Sequence, residues 1–571
     1  MQTQQSNVMT DGIFHHQFIL SPHECAERDG WYSHRCGGYC LTVHPSLPVA
    51  TVLDKDGNEV GYALGWPIDR SGRLNQAQIR LPFSVSAQSV DSLEATIYSF
   101  GGRFAFVILA PDLKRLYLDA GGTLSAVFSE KRAMAGSTMS VLVMDDQDHP
   151  LWSEPPGSFP DDRPNQYWPA GLTPDPEISR LLPNHYLDLQ NWRDVRHYPN
   201  SIFESISESD VPNYVERMVG LLRRHILGVV ETAPRVYMPL TAGWDSRTLL
   251  ACSRAVRDKV EYVTFDYRPL GRQRRSDLVD LEISQRLARR FGLRQLVISV
   301  SPNPPPGTEL QYLRRIGFAG GAGKSRDFFW SCQEHLDLSG AWLTGFAGGA
   351  GKIPLYWRPS DKETDKTSPA GLLGRMNLPS TDPFQEAMRV WLRSLPELPL
   401  TTLLTFAYLE HRVGCFASPH FYGAAPFSVN LTPFCHREIF DPLLRLPSEY
   451  RLSQDLAHDI SNNITSAAWP DLLDLPVNDY TETRRRVIGS KQKVDKRELE
   501  QTSSQLASAR DTIRYLRERS SKLQERNSRL QERNNQLIAH YSRRRYRLAD
   551  AIVSPVLRIP GVKNWVRRKV R

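Results

Sequence analysis

The sequence lacks the segments that place a protein in a membrane or direct it to secretion. No stretch approaches the ~18 uninterrupted apolar residues that a transmembrane helix needs. The opening MQTQQSNVMTDG has neither a basic start nor an apolar centre, so no signal peptide is expected. The 7 cysteines among 571 residues are odd in number and too sparse for a disulfide framework. We therefore expect a cytoplasmic protein.

The composition shows no strong bias either. Gly 36 and Pro 40 are ordinary counts, which excludes collagen-like and low-complexity chains. Hydrophobic residues at 40% and aromatic residues at 10% can build cores, which excludes a wholly disordered chain. The net charge of +8 is concentrated in residues 541–571, where Lys and Arg far outnumber the single Asp550. The rest of the chain is nearly neutral, so we expect no nucleic-acid partner.

The first 200 residues have a β pattern, in which short apolar runs alternate with turn-forming residues. These runs are Tyr39–Val43, Val49–Leu53, Phe104–Leu109, Arg115–Leu118 and Met139–Met144. At ~150 residues per domain, the length predicts three or four structural units. We assign residues 1–200 to a first, β-rich domain.

Residues 201–478 alternate between helical and strand patterns. Helices are predicted at Pro212–Val230, Ser246–Val256 and Asp277–Phe291, and strands at Val236–Leu240, Val260–Phe265 and Gln295–Val300. A β-α-β-α-β order of this kind predicts a parallel sheet with helices on both faces. Residues 380–475 are expected to add helices. The predicted fold class is therefore a multidomain α+β protein with a central α/β sheet.

The last part of the chain predicts a linker (479–496), a coiled coil (497–541) and a basic amphipathic tail (542–571). The a positions are Leu499, Leu506, Ile513, Ser520, Asn527 and Asn534, and the d positions are Thr502, Ala509, Leu516, Leu523, Leu530 and Leu537. Asparagine at a favours a parallel homodimer; a solvated single helix is the alternative. The tail suits an anionic membrane surface, such as the inner membrane, although an acidic protein partner or a simply solvated end remains open.

The segment with the clearest chemistry runs from Arg235 to Ala251, RVYMPLTAGWDSRTLLA. A buried strand enters a loop of small residues and then a helix. Such a loop offers backbone N–H groups and a positive helix end to phosphate. Thr241 and Ser246 add hydroxyls, and Asp245 is a candidate Mg²⁺ ligand. An ordinary capped turn between strand and helix is the alternative.

The loop Thr241–Ser246 resembles the SGGxDS pyrophosphate loop of the asparagine synthetase family, an N-type ATP pyrophosphatase family. Further resemblances extend over roughly residues 45–475. They include Tyr262–Phe265, Ser276-Asp277 with the helix that follows, Thr344–Gly349 as a second glycine-rich loop, Pro433-Phe434 with Arg437, and Leu446-Pro447. Gly101–Ile108 with Arg115–Gly122 is similar to the family's class II glutamine amidotransferase domain, which has an Ntn-type fold.

The resemblance implies a ligase that uses ATP and Mg²⁺. ATP would activate a small carboxylate as an acyl-adenylate, with release of pyrophosphate, and an amine or ammonia would then attack it. Asp245 would hold the metal and have a catalytic role, and Glu410 is a second candidate for acid/base chemistry. The predicted nucleotide-binding residues are Leu240, Thr241, Ala242, Gly243, Asp245, Ser246, Thr264, Phe265, Gly345, Gly348 and Lys352.

The chain also departs from the family pattern. Gln2 stands where the family has its catalytic cysteine, so glutamine hydrolysis is not expected. Gly349 and Ala350 replace the acid of the second loop, and Lys352 is a candidate to offset phosphate charge instead. Ala242 replaces a loop glycine, which requires a negative φ at that position.

Three weaker signals are discounted. Ala319–Ser325 is similar to a phosphate-binding P-loop but has Phe318 in place of its first glycine. His34, Cys36, Cys40 and His44 are explained by strand alternation as well as by a zinc site. Cys25 and Cys415 are interpreted as packing residues. Two functions remain: an amide-forming ligase without glutamine hydrolysis, or a catalytically degenerate dimeric scaffold.

Overall fold

The computed structural model describes residues 12–478, apart from gaps at 24–27, 75–76, 147, 154–165, 202–203, 272–273, 301–304, 306, 322, 338, 353, 427 and 454. The predicted linker, coiled coil and basic tail (479–571) lie outside these residues, as do Gln2 and Cys25. The predictions for those parts of the chain stay predictions. No helix in the described ranges is long and apolar enough to cross a membrane.

The N-terminal part of the chain forms two largely antiparallel sheets. Its strands are β1 (Phe18–Ser21), β2 (Tyr32–Cys36), β3 (Tyr39–Val43), β4 (Val49–Leu53), β5 (Glu59–Ile68), β6 (Gln78–Arg80), β7 (Gly101–Ala110), β8 (Leu113–Leu118), β9 (Val127–Ser129), β10 (Met134–Gly136), β11 (Ser179–Arg180), β12 (His185–Asp188) and β13 (Arg193–Arg196). One sheet has the order β11-β9-β10-β1-β3-β2 and the other β13-β12-β8-β7-β5-β4-β6. The predicted β-rich region is thus confirmed, whereas its Ntn-type character stays a prediction.

In the described part of this β region, three short helices interrupt the strands: α1 (Val90–Ile97), α2 (Met139–Leu142) and α3 (Pro150–Ser153). The second corrects the sequence interpretation, which treated Met139–Met144 as a strand-like apolar run. The Thr138 side chain accepts a hydrogen bond from the backbone N–H of Val141 and so caps a helical turn. All four residues of α2 are buried, so their apolar character reports burial and not strand geometry.

The central sheet is parallel, as the β-α-β-α-β pattern predicts. Its strands are β14 (Val236–Pro239), β15 (Val260–Asp266), β16 (Gln295–Ser299), β17 (Ala341–Leu343) and β18 (Val429–Leu431). They lie in the order β16-β15-β14-β17-β18, and every neighbouring pair is parallel. Along the chain, strands are therefore added on one side of β14 as far as β16, and then on its other side as β17 and β18.

Helices cover the sheet and build the rest of the described chain. They are α4 (Val211–Thr232), α5 (Trp244–Cys252), α6 (Arg275–Phe291), α7 (Thr308–Arg315), α8 (Gly323–His335), α9 (Pro369–Met376), α10 (Asp382–Ser394), α11 (Leu400–Ala407), α12 (Ser418–Ala424), α13 (Arg437–Leu444), α14 (Ser448–Leu452) and α15 (Ile460–Ala468). A π-helical segment, Tyr408–Ala417, joins α11 to α12. The predicted Ser246–Val256 helix ends earlier, at Cys252, and continues as a 3₁₀ segment, Arg254–Lys259.

The apolar stripes of these elements meet in a shared core. The longest helix, α4, has Pro in its first turn, where a missing N–H costs nothing, and buries one face that includes Leu222 and Ile226. The same core contains Phe104 of β7, Leu250 of α5 and Leu443 of α13, each no more than 2% exposed. The antiparallel and parallel sheets are therefore joined through one continuous apolar interior.

Candidate functional site

The loop between β14 and α5 is a tight turn closed by its own hydroxyl groups. The Oγ1 of Thr241 lies 2.8 Å from the Oγ of Ser246, and the N–H of Gly243 donates to Thr241 Oγ1 at 3.1 Å. Leu240 is the first residue of the loop, and its N–H donates to the carbonyl of Val263 on β15. These bonds hold the predicted phosphate loop in one shape before any ligand arrives.

The first turn of α5 has no hydrogen bond from a capping side chain. Gly243 is the N-cap, with φ −74° and ψ 160°, and being glycine it has no side chain to accept a hydrogen bond. The first N–H groups of a helix have no partner within the helix and carry its positive end, which suits this end of α5 to an anion. Ala242 does not have a positive φ, which confirms the condition that the sequence set for replacing a glycine there.

The second glycine-rich loop follows β17 and closes over Asp245. A Cβ added at Gly345 would lie 2.8 Å from the Asp245 Cβ, and one at Gly348 would lie 3.3 Å from Asp245 Oδ1. Larger residues at these positions would push the loop away. The Phe434 ring packs on the same side, 3.2 Å from a Cβ built at Gly348. The structure therefore brings together three predicted segments that lie far apart in sequence.

Asp245 has a partner that the sequence suggested for another purpose. The Nζ of Lys352, at the end of the second loop, lies 2.5 Å from Asp245 Oδ1. The two side chains are 24% and 44% exposed, respectively, so both remain accessible to a ligand. The carboxylate of Asp245, the predicted metal ligand, is thus neutralised by the ammonium group of Lys352.

The predicted contacts to the nucleoside are engaged in packing. The hydroxyl of Thr264 donates to the Leu240 carbonyl at 2.8 Å, and Thr264 as a whole is only 1% exposed. The ring of Phe265 packs against Phe328, with centroids 4.3 Å apart, and lies near Trp342. Both residues therefore support the sheet below the loop, and their contact with a nucleotide stays a prediction.

Asp280 is a site residue that the sequence interpretation missed. It lies on α6, and its Oδ1 accepts a hydrogen bond of 2.8 Å from the N–H of Ala242 in the phosphate loop. Burial raises the pKa of this carboxyl group, and the charge of Asp277 adds to the effect, whereas the Ala242 N–H opposes it. Asp280 lies one turn after the Ser276-Asp277 pair on the same helix, and this spacing could have identified it from the sequence.

Glu410 lies in a buried ion pair. Its two oxygens accept hydrogen bonds of 2.7 Å from Nη1 and Nη2 of Arg196, 2.7 Å from Asn184 and 2.6 Å from Trp391. The side chain is fully buried. Burial opposes its charged form, but Arg196 outweighs that cost and lowers the pKa of Glu410 to about 2. None of its four hydrogen bonds involves either loop.

The residues at the loops do not fit a protein-held Mg²⁺. The ion takes six oxygen ligands and is usually held by one or two carboxylates together with phosphates and waters. Of the two carboxylates that contact the phosphate loop, Asp245 is paired with Lys352 and Asp280 accepts an amide. Within the described ranges, no group of three or more His, Cys, Asp or Glu side chains is placed to hold a metal. Both carboxylates are therefore already engaged within the protein.

Comparison with known proteins gives only distant similarities. No family model matches the chain, and no curated protein matches its sequence. Among solved structures, it is similar to a glutamine-dependent NAD+ synthetase from Acinetobacter baumannii in complex with ADP (16% identity, 25% of this chain, TM-score 0.14). The chain spans 27% of the length of that synthetase.

Two further structures show the same level of similarity. An NMN synthetase from Francisella tularensis is 11% identical over 35% of this chain and 93% of its own, with a TM-score of 0.18. An NAD+ synthetase from Burkholderia pseudomallei is 11% identical over 49% of this chain and 91% of its own, with a TM-score of 0.17. Similarity at this level carries no functional argument, so the function is argued from the site itself.

Proposed function

We propose that the protein is an AMP-forming ligase of the asparagine synthetase-like type. It would bind ATP at the Leu240–Ser246 loop, activate a small carboxylate as the acyl-adenylate, and transfer it to an amine or ammonia without hydrolysing glutamine. The observation that supports this most is topological. The loops after β14 and β17 meet where the strand order of the parallel sheet reverses, and such reversal points form the ligand crevice of open α/β sheets.

Each part of the crevice has a function in this proposal. The free amide groups at the start of α5 donate to a phosphate, favoured by the positive end of the helix dipole. The hydroxyls of Thr241 and Ser246 bond to each other at 2.8 Å, and the one that accepts in this bond would donate its own proton to the same group. Lys352 offsets negative charge as pyrophosphate leaves, since fixed charges stabilise charge that develops in the transition state. ATP supplies the adenylyl group.

The described cysteines support a reaction without glutamine hydrolysis. A cysteine nucleophile reacts as the thiolate, which a low pKa favours. Burial raises the pKa of five described thiols: to about 11 for Cys36 and Cys415, to about 12 for Cys252, and further for Cys332 and Cys435. Each of these five groups therefore stays protonated near neutral pH, and we propose that free amine or ammonia is the nucleophile.

A catalytically degenerate dimeric scaffold is the second candidate, and two contacts favour it. Lys352 neutralises Asp245, and Asp280 takes up the Ala242 amide that a phosphate would otherwise use. The predicted parallel coiled coil would supply the dimer, and the basic tail would supply contact with an anionic membrane surface. This candidate requires a dimeric full-length chain in light scattering, and a monomer would contradict it.

The ligase proposal is tested by exchange of labelled pyrophosphate into ATP, with a panel of small carboxylates. Exchange that depends on one carboxylate supports the ligase, because only a reversible acyl-adenylate returns pyrophosphate to ATP. The Ser246→Ala variant should reduce the exchange rate by roughly tenfold or more. The matched control is Ser253→Ala at the other end of α5, whose hydroxyl bonds to Leu250 and Tyr262 and should leave exchange unchanged. ATP binding without exchange for any carboxylate would favour the scaffold.

A further inference from the structure

The second loop brings a lysine to Asp245, the residue that the sequence suggested as a metal ligand. Lys352 Nζ lies 2.5 Å from Asp245 Oδ1. The second loop can come this close to Asp245 because two of its residues are glycines: a Cβ at Gly345 would not fit beside Asp245, and a Cβ at Gly348 would fit only tightly. The second loop therefore packs against Asp245 at Gly345 and Gly348, and Lys352 at the end of this loop contributes the positive charge. A divalent ion bound to Asp245 would have to displace the Lys352 ammonium group first.

Two negative groups bracket the amides that a phosphate would use. Asp245 lies in the first turn of α5, and Asp280 accepts the N–H of Ala242 at 2.8 Å. A phosphate that approaches this loop therefore meets repulsion unless a positive charge compensates. The Lys352 ammonium is that charge, and it is partly exposed. Ammonium groups form charge-assisted hydrogen bonds with phosphate as well as with carboxylate.

We propose that Lys352 replaces the protein-held metal, so that the site takes the phosphates of a nucleoside triphosphate without a divalent cation. Asp245 then acts as the resting partner of the lysine and not as a metal ligand. On binding, Lys352 exchanges the Asp245 carboxylate for a phosphate oxygen. This inference rests on the proposed function, because it assumes that the loop binds the phosphates of ATP.

The two roles of Asp245 predict opposite results for one variant. If Asp245 holds Mg²⁺, Asp245→Asn should lose ATP binding in magnesium buffer, because the metal loses its ligand. If Asp245 restrains Lys352, the same variant should bind ATP in EDTA as tightly as the wild type or more tightly, because the lysine is released. The amide keeps the size of the side chain, so the two outcomes are not confused with a packing defect.

The experiment is calorimetric titration of the full-length protein with ATP and, separately, with inorganic pyrophosphate, each in EDTA and in magnesium buffer. We expect wild-type affinity to be similar in both buffers. Lys352→Ala should weaken binding by about tenfold or more, as expected for loss of a hydrogen bond between charged groups, and Lys352→Arg should retain part of it. Lys366→Ala removes an exposed lysine paired with Glu397 and serves as the unchanged control.

The outcomes separate the inference from the function. Binding that requires magnesium, or that survives Lys352→Ala, overturns the inference and leaves the proposed function standing. Loss of binding in Asp245→Asn in both buffers also overturns it, because a released Lys352 should bind phosphate at least as well as in the wild type. No binding of ATP or pyrophosphate in either buffer overturns the proposed function itself, and the inference with it.

Discussion

Replacing Glu410 with glutamine tests whether this carboxylate holds the structure together. Glutamine has almost the same shape but leaves the Arg196 guanidinium, whose side chain is 6% exposed, without its counter-charge. Breaking one side of a buried ion pair costs about 3–5 kcal/mol. The pKa gives a similar size: about 2 in place of 4.5 corresponds to roughly 3 kcal/mol in favour of the charged form.

The pH dependence of this contribution has a definite sign. The folded protein holds Glu410 at a lower pKa than the unfolded chain does, so the stabilisation is complete above about pH 4.5. It is lost as the pH falls from about 4.5 through about 2, below which the carboxyl group is protonated in both states. The difference in stability between wild type and Glu410→Gln should therefore be largest at neutral pH and shrink in acid.

The assay is urea unfolding of both proteins, followed by tryptophan fluorescence, because Trp391 itself donates to Glu410. The control is Glu438→Gln, which breaks the 2.7 Å pair with Arg70 on the surface, where both side chains are about half exposed or more. Exposed pairs contribute about 0–1 kcal/mol, so this variant should unfold close to wild type. The reasoning is refuted if Glu410→Gln unfolds at the same urea concentration as Glu438→Gln.

Two further predictions concern ionisable groups whose pKa is shifted by burial. The Asp280→Asn variant keeps a hydrogen-bond acceptor for the Ala242 amide but removes a negative charge beside the phosphate loop. ATP should therefore bind more tightly in calorimetry, by about 1 kcal/mol. Weaker binding would show instead that Asp280 assists the ligand. Burial, with the charge of His436, lowers the pKa of His225 to about 3. The unfolded chain therefore takes up this proton first, so His225 alone lowers stability by about 1 kcal/mol per pH unit below pH 6.5, in addition to other buried histidines such as His411 and His420. His225→Leu should reduce the slope in thermal unfolding by that amount, whereas the exposed His23→Leu should leave the slope unchanged.

Much of the parallel sheet could be predicted from local pattern. Strands β14, β15 and β16 and helices α4 and α6 begin and end within two residues of the predicted bounds, because apolar spacing and turn-forming residues are properties of short segments. The same reasoning failed at Met139–Leu142, where four buried residues form a helix and not a strand. Periodicity cannot distinguish the two structures in so short an apolar run, and the Thr138 cap decided the outcome.

The sequence by itself determined the central α/β pattern and the loop Thr241–Ser246 with its Asp245. Both depend on residues that are neighbours in the chain, so their spacing carries the information. Only the tertiary structure decided what surrounds the loop. Asp245 and Lys352 are 107 positions apart, and Glu410 and Arg196 are 214 apart. Such pairs form only when the shared core fixes the path of the chain, and no local pattern encodes that path.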